Sequence, residues 1–504
     1  MGGVNKQCPW LLSPSVGEAL MREGRSSGSP SSKVMALCRG SQLLLLLALS
    51  LAVNEGLCSR AARSRRDLAP GLHTQGIRDA AGSYCQKMTS CCPGREDTCT
   101  VPYLDTICYC DLFCNRTVSD CCPDFWEYCL GIEPPIAIQT GCVRQGKPYP
   151  SGATYQDNCN LCSCSGTGRW DCEQHACLIE QDMILAINRG SYGWRAGNYS
   201  QFWGMSLDEG IRYRLGTQKP PSTVLNMNEL QVKMASNEVL PTYFNAADKW
   251  PGMIHEPLDQ GNCAGSWAFS TAAVASDRIS IQSMGHMTPA LSPQNLLSCD
   301  KRNQQGCSGG RVDGAWWYLR RRGVVTEECY PFTSGEKDRP PTSGPCMMHS
   351  HSTGRGKRQA AARCPNLHTH SNQIYQSTPA YRLASSEKEI MKEVMENGPV
   401  QAIMEVYEDF FLYKGGIYRH TAAAAGKAER YRRHGTHSVR ITGWGEEKMP
   451  NGESQKYWIA ANSWGKHWGD SGYFHIARGT NECEIEGFVV GVWGRVSMED
   501  VHKK

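Results

Sequence analysis

Cysteine is crowded into one stretch of this chain: sixteen of the 26 fall between Cys85 and Cys177, about one residue in six. Small units of that density bury too little apolar surface to fold on a core alone, and crosslinks hold them together. Such crosslinks persist in oxidising compartments, so the stretch implies a secreted protein. Clustered cysteines can also bind zinc, but density and compartment together favour disulfides, and no metal or cofactor is implied.

An export signal agrees with that compartment. Leu43 to Val53 is an eleven-residue apolar run, preceded by Arg39 and followed by Asn54, Glu55 and Gly56. The run is too short to span a bilayer and suits a signal-peptide core. Met35 is the natural start for such a signal, which makes 1–34 a polar N-terminal extension, 35–58 the signal peptide and 59–84 a basic linker. No other stretch is apolar and long enough for a membrane span. A formal net charge of +4 over 504 residues is small and gives no sign of a dedicated nucleic-acid binder. Basic clusters such as Arg320 to Arg322 and Lys427 to His434 read as solvated loop surface.

Residues 85–130 hold ten cysteines, closing with Cys108-x-Cys110-x3-Cys114-x6-Cys121-Cys122-x6-Cys129. The C-x-C and the adjacent pair resemble a somatomedin B domain, a small extracellular knot that binds proteins. Residues 140–178 hold six more, with Cys159-x2-Cys162-x-Cys164 and Trp170, and resemble the first half of a von Willebrand factor type C module. Asn115-Arg116-Thr117 and Asn198-Tyr199-Ser200 are glycosylation sequons, placing Asn115 and Asn198 on surface loops.

The remaining half resembles papain-like peptidases of the cathepsin B type. Trp194-Arg195-Ala196-Gly197-Asn198 and Leu215-Gly216-Thr217 resemble that group's propeptide, giving 179–239, and Leu240-Pro241-Thr242-Tyr243-Phe244-Asn245 resembles its mature start, giving 240–497. The resemblance implies an α+β, two-lobe fold, with a helical left lobe and a β-barrel-like right lobe enclosing a cleft. Locally, Ser266 to Ser283 has apolar residues at helical spacing and no Pro or Gly, so it predicts a buried helix. Val439 to Trp444 and Tyr457 to Ala460 predict strands.

Papain-like chemistry uses a cysteine at a helix N-terminus, a histidine base, an orienting asparagine and an oxyanion-binding glutamine. By motif, Gln260, His437 in Gly435-Thr436-His437-Ser438 and Asn462 in Asn462-Ser463-Trp464-Gly465 fill the last three roles, with Trp464 shielding the His–Asn bond. Gly309 and Gly310 of Cys307-Ser308-Gly309-Gly310 fill the substrate-cleft positions. The nucleophile segment, given in such peptidases as C-G-[SA]-C-[WY], reads Cys263-Ala264-Gly265-Ser266-Trp267, so Ser266 stands where the thiol is expected. A serine hydroxyl forms no resting ion pair with imidazole, and loss of the nucleophile costs several orders of magnitude in rate. The expectation is therefore a non-catalytic protein, with weak serine- or cysteine-type peptidase activity as the alternative. The resemblance also pairs Cys263 with Cys307 and leaves Cys483 as a free thiol. Pro331 to Ala380 occupies the place of an occluding loop, in which His349 and His351 stand separated by Ser350.

This module order resembles the tubulointerstitial nephritis antigen family. The resemblance implies a secreted basement-membrane glycoprotein that binds laminin, collagen-type components, integrin-type receptors or polysaccharide.

Overall fold

The computed structural model describes residues 83–132 and 141–496, apart from 104–105, 115–119, 226–227, 236, 337–341, 355–356 and 449–451. The N-terminal extension, the signal peptide, the linker as far as residue 82 and the Asn115 sequon lie outside the described residues. The chain divides into two units, up to residue 138 and from residue 139 onward.

In the first unit sulfur takes the place of hydrocarbon. The bridges are Cys85–Cys110, Cys91–Cys129, Cys92–Cys99, Cys108–Cys122 and Cys114–Cys121. Seven of these cysteines are buried with Tyr109 and Phe125 as the core. The Asp124 carboxylate accepts the backbone N–H groups of Tyr84, Cys85 and Gln86 at 2.7, 2.9 and 3.0 Å, fastening the start of the knot to its end.

The second unit opens with three further bridges, Cys142–Cys164, Cys159–Cys177 and Cys162–Cys172. These residues are joined to the propeptide-like segment by backbone bonds: Leu178 N–H to the Met205 carbonyl at 2.9 Å and Leu207 N–H to the Ala176 carbonyl at 2.7 Å. That segment carries helices α1 (Gln181–Arg189) and α2 (Leu207–Arg214), the second opened by a Ser206/Glu209 capping box. Its Ile179, Met183, Ile187, Trp194, Phe202 and Leu215 are buried in the same cluster as Phe410, Trp464, Trp468 and Phe474. The segment is thus part of the right-lobe core.

Ten strands make one sheet: β1 (Trp194–Ala196), β2 (Glu229–Leu230), β3 (Phe244–Asn245), β4 (Tyr381–Leu383), β5 (Val400–Val406), β6 (Tyr413–Tyr418), β7 (Gly435–Lys448), β8 (Ser454–Ala461), β9 (Tyr473–Ala477) and β10 (Phe488–Gly491). The order is β1-β6-β9-β8-β7-β5-β10-β4-β2, with β3 paired to β7. Both ends of that path, β1 and β2, come from the propeptide-like segment, which covers edges that would otherwise expose unpaired backbone groups.

The left lobe packs α3 (Ser266–Gln282), α4 (Pro293–Cys299) and α5 (Val312–Arg321) around Trp267, Leu296, Leu297, Trp316 and Leu319. Helix α3 is buried on nearly every side although it is rich in serine. Its hydroxyls are satisfied internally: Ser270, Thr271, Ser276 and Ser280 each donate to the carbonyl four residues back, at 2.7–2.8 Å. Its two buried charges are paired, Asp277 with Arg440 at 2.6 Å and Arg278 with Glu393 at 2.8 Å. Bridges Cys263–Cys307, Cys299–Cys346 and Cys329–Cys364 cross this lobe, and Cys483 keeps its thiol. Within the Pro331–Ala380 insert, Ser350–Gly354 and Lys357–Ala360 pair as a hairpin. There the His349 ring stands 3.4 Å from the Cys346 sulfur, while His351 is exposed.

Candidate functional site

Helix α3 begins at Ser266, whose side chain is fully buried at the helix N-terminus. Antiparallel pairing of β5 with β7 sets His437 opposite Met404 on the other lobe, and the turn after β8 supplies Asn462 and Trp464. The His437 Nε2–H donates to Asn462 Oδ1 at 2.8 Å, and that oxygen also accepts the Ser463 N–H at 2.8 Å. Trp464 packs beside the imidazole with ring centroids 5.3 Å apart. Burial pushes the His437 imidazole down to about 4, against the opposing pull of the Asn462 bond, so the ring is neutral at physiological pH. Its Nδ1 then carries a lone pair and has no hydrogen-bond partner among the described residues.

Ser266 does not supply that partner. Its hydroxyl lies 2.8 Å from Thr217 Oγ1, and the Thr217 hydroxyl donates to Ser438 at 2.8 Å. Ser438 and Ser270 lie 2.8 Å apart, and Ser270 donates to the Ser266 carbonyl at 2.7 Å. A hydroxyl has one proton to give, so the ring closes one way only: Ser266 to Thr217, Thr217 to Ser438, Ser438 to Ser270, Ser270 to the Ser266 carbonyl. The proton that a base would remove from Ser266 is directed at the propeptide-like segment.

The same segment engages the two donors that the motif assigns to an oxyanion. The Leu215 carbonyl accepts Gln260 Nε2–H at 3.0 Å and the Ser266 N–H at 3.3 Å. Gln260 is fixed in turn by the Ser463 hydroxyl, which donates to its Oε1 at 2.6 Å. The chain then runs parallel to the Cys307–Gly310 segment: Gly310 N–H donates to the Gly216 carbonyl at 2.9 Å and Gln218 N–H to the Gly310 carbonyl at 2.8 Å. Glycine is required where the backbones approach most closely. Gly216 has φ +116°, and a Cβ there would lie 2.1 Å from the Ala264 carbonyl oxygen; one on Gly310 would lie 2.6 Å from the Trp267 ring. Trp464 Nε1–H donates to the Arg214 carbonyl at 2.7 Å, and the buried Arg214 guanidinium stands 3.5 Å from Asp259.

The structure thus brings Gln260, Ser266, Gly309, Gly310, His437, Asn462 and Trp464 to one cleft, with Cys263–Cys307 bracing its left wall. Asn198 lies apart and is exposed. Leu215, Thr217, Ser270 and Ser438 complete the site; Ser438 follows His437 in its motif, and no catalytic role marks the other three. The one sequence signal is that Leu215-Gly216-Thr217 forms a compact propeptide-like run.

Over 457 residues the chain is 66% identical to tubulointerstitial nephritis antigen-like of Homo sapiens, covering 91% of this chain and 98% of that protein. The chain belongs to the tubulointerstitial nephritis antigen family. Another member of this family, tubulointerstitial nephritis antigen of Bos taurus, is 48% identical over 482 residues, 92% of this chain and all of that one. Residues 240–493 match the papain family of cysteine proteases. Among solved structures, proCathepsin B S9 from Trypanosoma congolense superposes with a TM-score of 0.52 at 28% identity, covering 64% of this chain and all of that one. This tubulointerstitial nephritis antigen family member therefore has a papain-like fold, as its motifs predict.

Proposed function

We propose that this chain is a secreted, non-catalytic papain-fold protein of the extracellular matrix, acting by binding rather than by cleavage. The observation that carries this reading is the ring in which Ser266 gives its proton to Thr217 while His437 Nδ1 stays unpartnered. Peptide hydrolysis at Ser266 needs the opposite arrangement, a hydroxyl donating to the base beside a vacant oxyanion site. Here the Leu215 carbonyl already holds the two donors. The eleven disulfides among the described residues and the exposed Asn198 sequon support secretion. Among the described residues no helix is long and apolar enough to cross a membrane.

Binding partners in this reading are matrix proteins, laminin and collagen-type components, or integrin-type receptors, with polysaccharide as a further ligand. The test is a pull-down of purified laminin, collagen IV and heparan sulfate by the intact secreted chain. Saturable binding to at least one is expected; binding to none would overturn the matrix reading. The competing reading, a slow serine peptidase, draws on the free His437 Nδ1 lone pair. It requires residues 214–218 to leave the cleft.

A further inference from the structure

Arginines from three segments of the left lobe gather around the C-terminal half of α5. Arg320 and Arg321 lie in its last turn and Arg322 caps it, so this cluster ends a helix and does not lie in a loop. Arg302 comes from the loop after α4, and Arg358 from the hairpin of the 331–380 insert. Arg302, Arg320, Arg321 and Arg322 are exposed, and Arg358 is half-buried. Among the described residues α5 and its flanks hold one ion pair, Arg311 with Asp313 at 2.7 Å, and none of the five arginines takes part in it.

Specific contacts hold these cations together. Residues three and four apart share a helix face, so Trp317 stands beside Arg320 and Arg321. Its indole is 39% exposed and carries the Arg302 guanidinium 4.7 Å from a ring centroid. Arg358 donates to Ser350 Oγ at 2.8 Å and to the Ser350 carbonyl at 2.5 Å, and Ser350 Oγ donates to the Arg322 carbonyl at 2.5 Å. Arg358 is lowered from its ordinary value, first by burial and then by the Arg322 charge beside it. Asp300, which feels the Arg302 charge, lies buried and takes Gln304 Nε2–H at 3.0 Å. A helix C-terminus favours cations in its last turn, which accounts for Arg320 and Arg321. It does not account for Arg302 and Arg358, which other segments bring to the same helix.

We infer that this face of α5 binds a sulfated polysaccharide, with sulfates on the arginines and a sugar ring against Trp317. The inference rests on the secreted matrix reading and gives its polysaccharide ligand a place on the papain-like domain. The cations are spread over three chain segments and more than one helical turn, so a small anion meets few of them and a linear polyanion meets them all. The guanidinium is a planar fork that matches a pair of sulfate oxygens. The exposed indole adds a flat apolar surface for the C–H face of a sugar. Nucleic acid carries comparable charge, but a chain built on disulfides works in the oxidising extracellular space, where the abundant polyanions are sulfated sugars.

The test is binding of the intact secreted chain to heparin, hyaluronan and a single-stranded DNA oligonucleotide across a salt series, with laminin and collagen IV measured alongside. Saturable heparin binding is expected. Hyaluronan, which has carboxylates but no sulfates, should bind about tenfold more weakly, and DNA more weakly than heparin. Replacing Arg320, Arg321 and Arg322 together by Gln removes three exposed charges. At an unchanged melting temperature it should weaken heparin about tenfold or more and lower the slope of log affinity against log salt by about two to three. Trp317→Ala should weaken heparin about fivefold and leave that slope unchanged. Laminin or collagen IV held without heparin overturns this inference and leaves the matrix reading standing. Unchanged heparin binding in the triple variant, or hyaluronan or DNA bound as tightly as heparin, also overturns it. Binding to none of these partners overturns both.

Discussion

Ser266 and Thr217, 49 residues apart, share a hydrogen bond of 2.8 Å in which Ser266 is the donor. That single contact ties the first residue of α3 to the segment lying across it. It also takes the serine away from His437, which is otherwise correctly oriented by Asn462.

Thr217→Val keeps the shape of the side chain and deletes the acceptor. Ser266 then has a buried hydroxyl without a partner, which costs about 1–3 kcal/mol. Denaturant melts should show the loss, and hydrogen exchange should show faster exchange at Thr217 and Gln218.

Ser266→Cys supplies a thiol but leaves the Leu215 carbonyl on Gln260 and the residue-266 N–H. The intact variant should therefore hydrolyse no peptide. Adding Gly216→Asp forces a Cβ to within 2.1 Å of the Ala264 oxygen and should expel the segment. Turnover of a fluorogenic peptide should then rise by several orders of magnitude, the usual worth of a triad nucleophile.

Val239, at the junction with the protease-like domain, is 91% exposed, whereas Ile187, Trp194 and Phe202 are buried in the right-lobe core. Limited proteolysis that cuts at residues 239–240 should leave the two fragments together. They should co-elute in size exclusion without reductant or denaturant, although no disulfide among the described residues joins them.

Burial pushes the Glu327 carboxyl up to about 7, against the Phe332 N–H bond that favours its charged form. The folded state therefore holds this proton more tightly than the unfolded state. Its contribution is complete below the unfolded value of about 4.3 and is lost as pH rises through about 7. Glu327→Gln should gain about 3 kcal/mol over the parent near pH 8 and nothing near pH 4. His437 has the opposite sign: its contribution is complete above about 6.5 and is lost as pH falls toward about 4. Denaturant midpoints across pH check both.

Much of the fold was legible because its signals are local. Ser266 to Ser283 lacks helix breakers and becomes α3, and the Val439 and Tyr457 runs lie within β7 and β8. The two-lobe architecture followed from ordered motifs. The hydroxyl ring was not legible, since it joins residues 49, 221 and 168 positions apart, and isolated serines and threonines look like ordinary surface. Strands β1 and β2, of three and two residues, are too short for any periodicity to mark them. Their place at the sheet edges emerges only from tertiary pairing.

In the proposed reading Ser266 is held by the propeptide-like segment and is not a working nucleophile. The most direct measurement is mass-spectrometric mapping of the intact secreted chain after incubation with an active-site fluorophosphonate at neutral pH. Ser266 should stay unmodified, with its hydroxyl donating to Thr217 and the Gln260 and residue-266 N–H donors held by the Leu215 carbonyl. Stoichiometric labelling at Ser266 would contradict it.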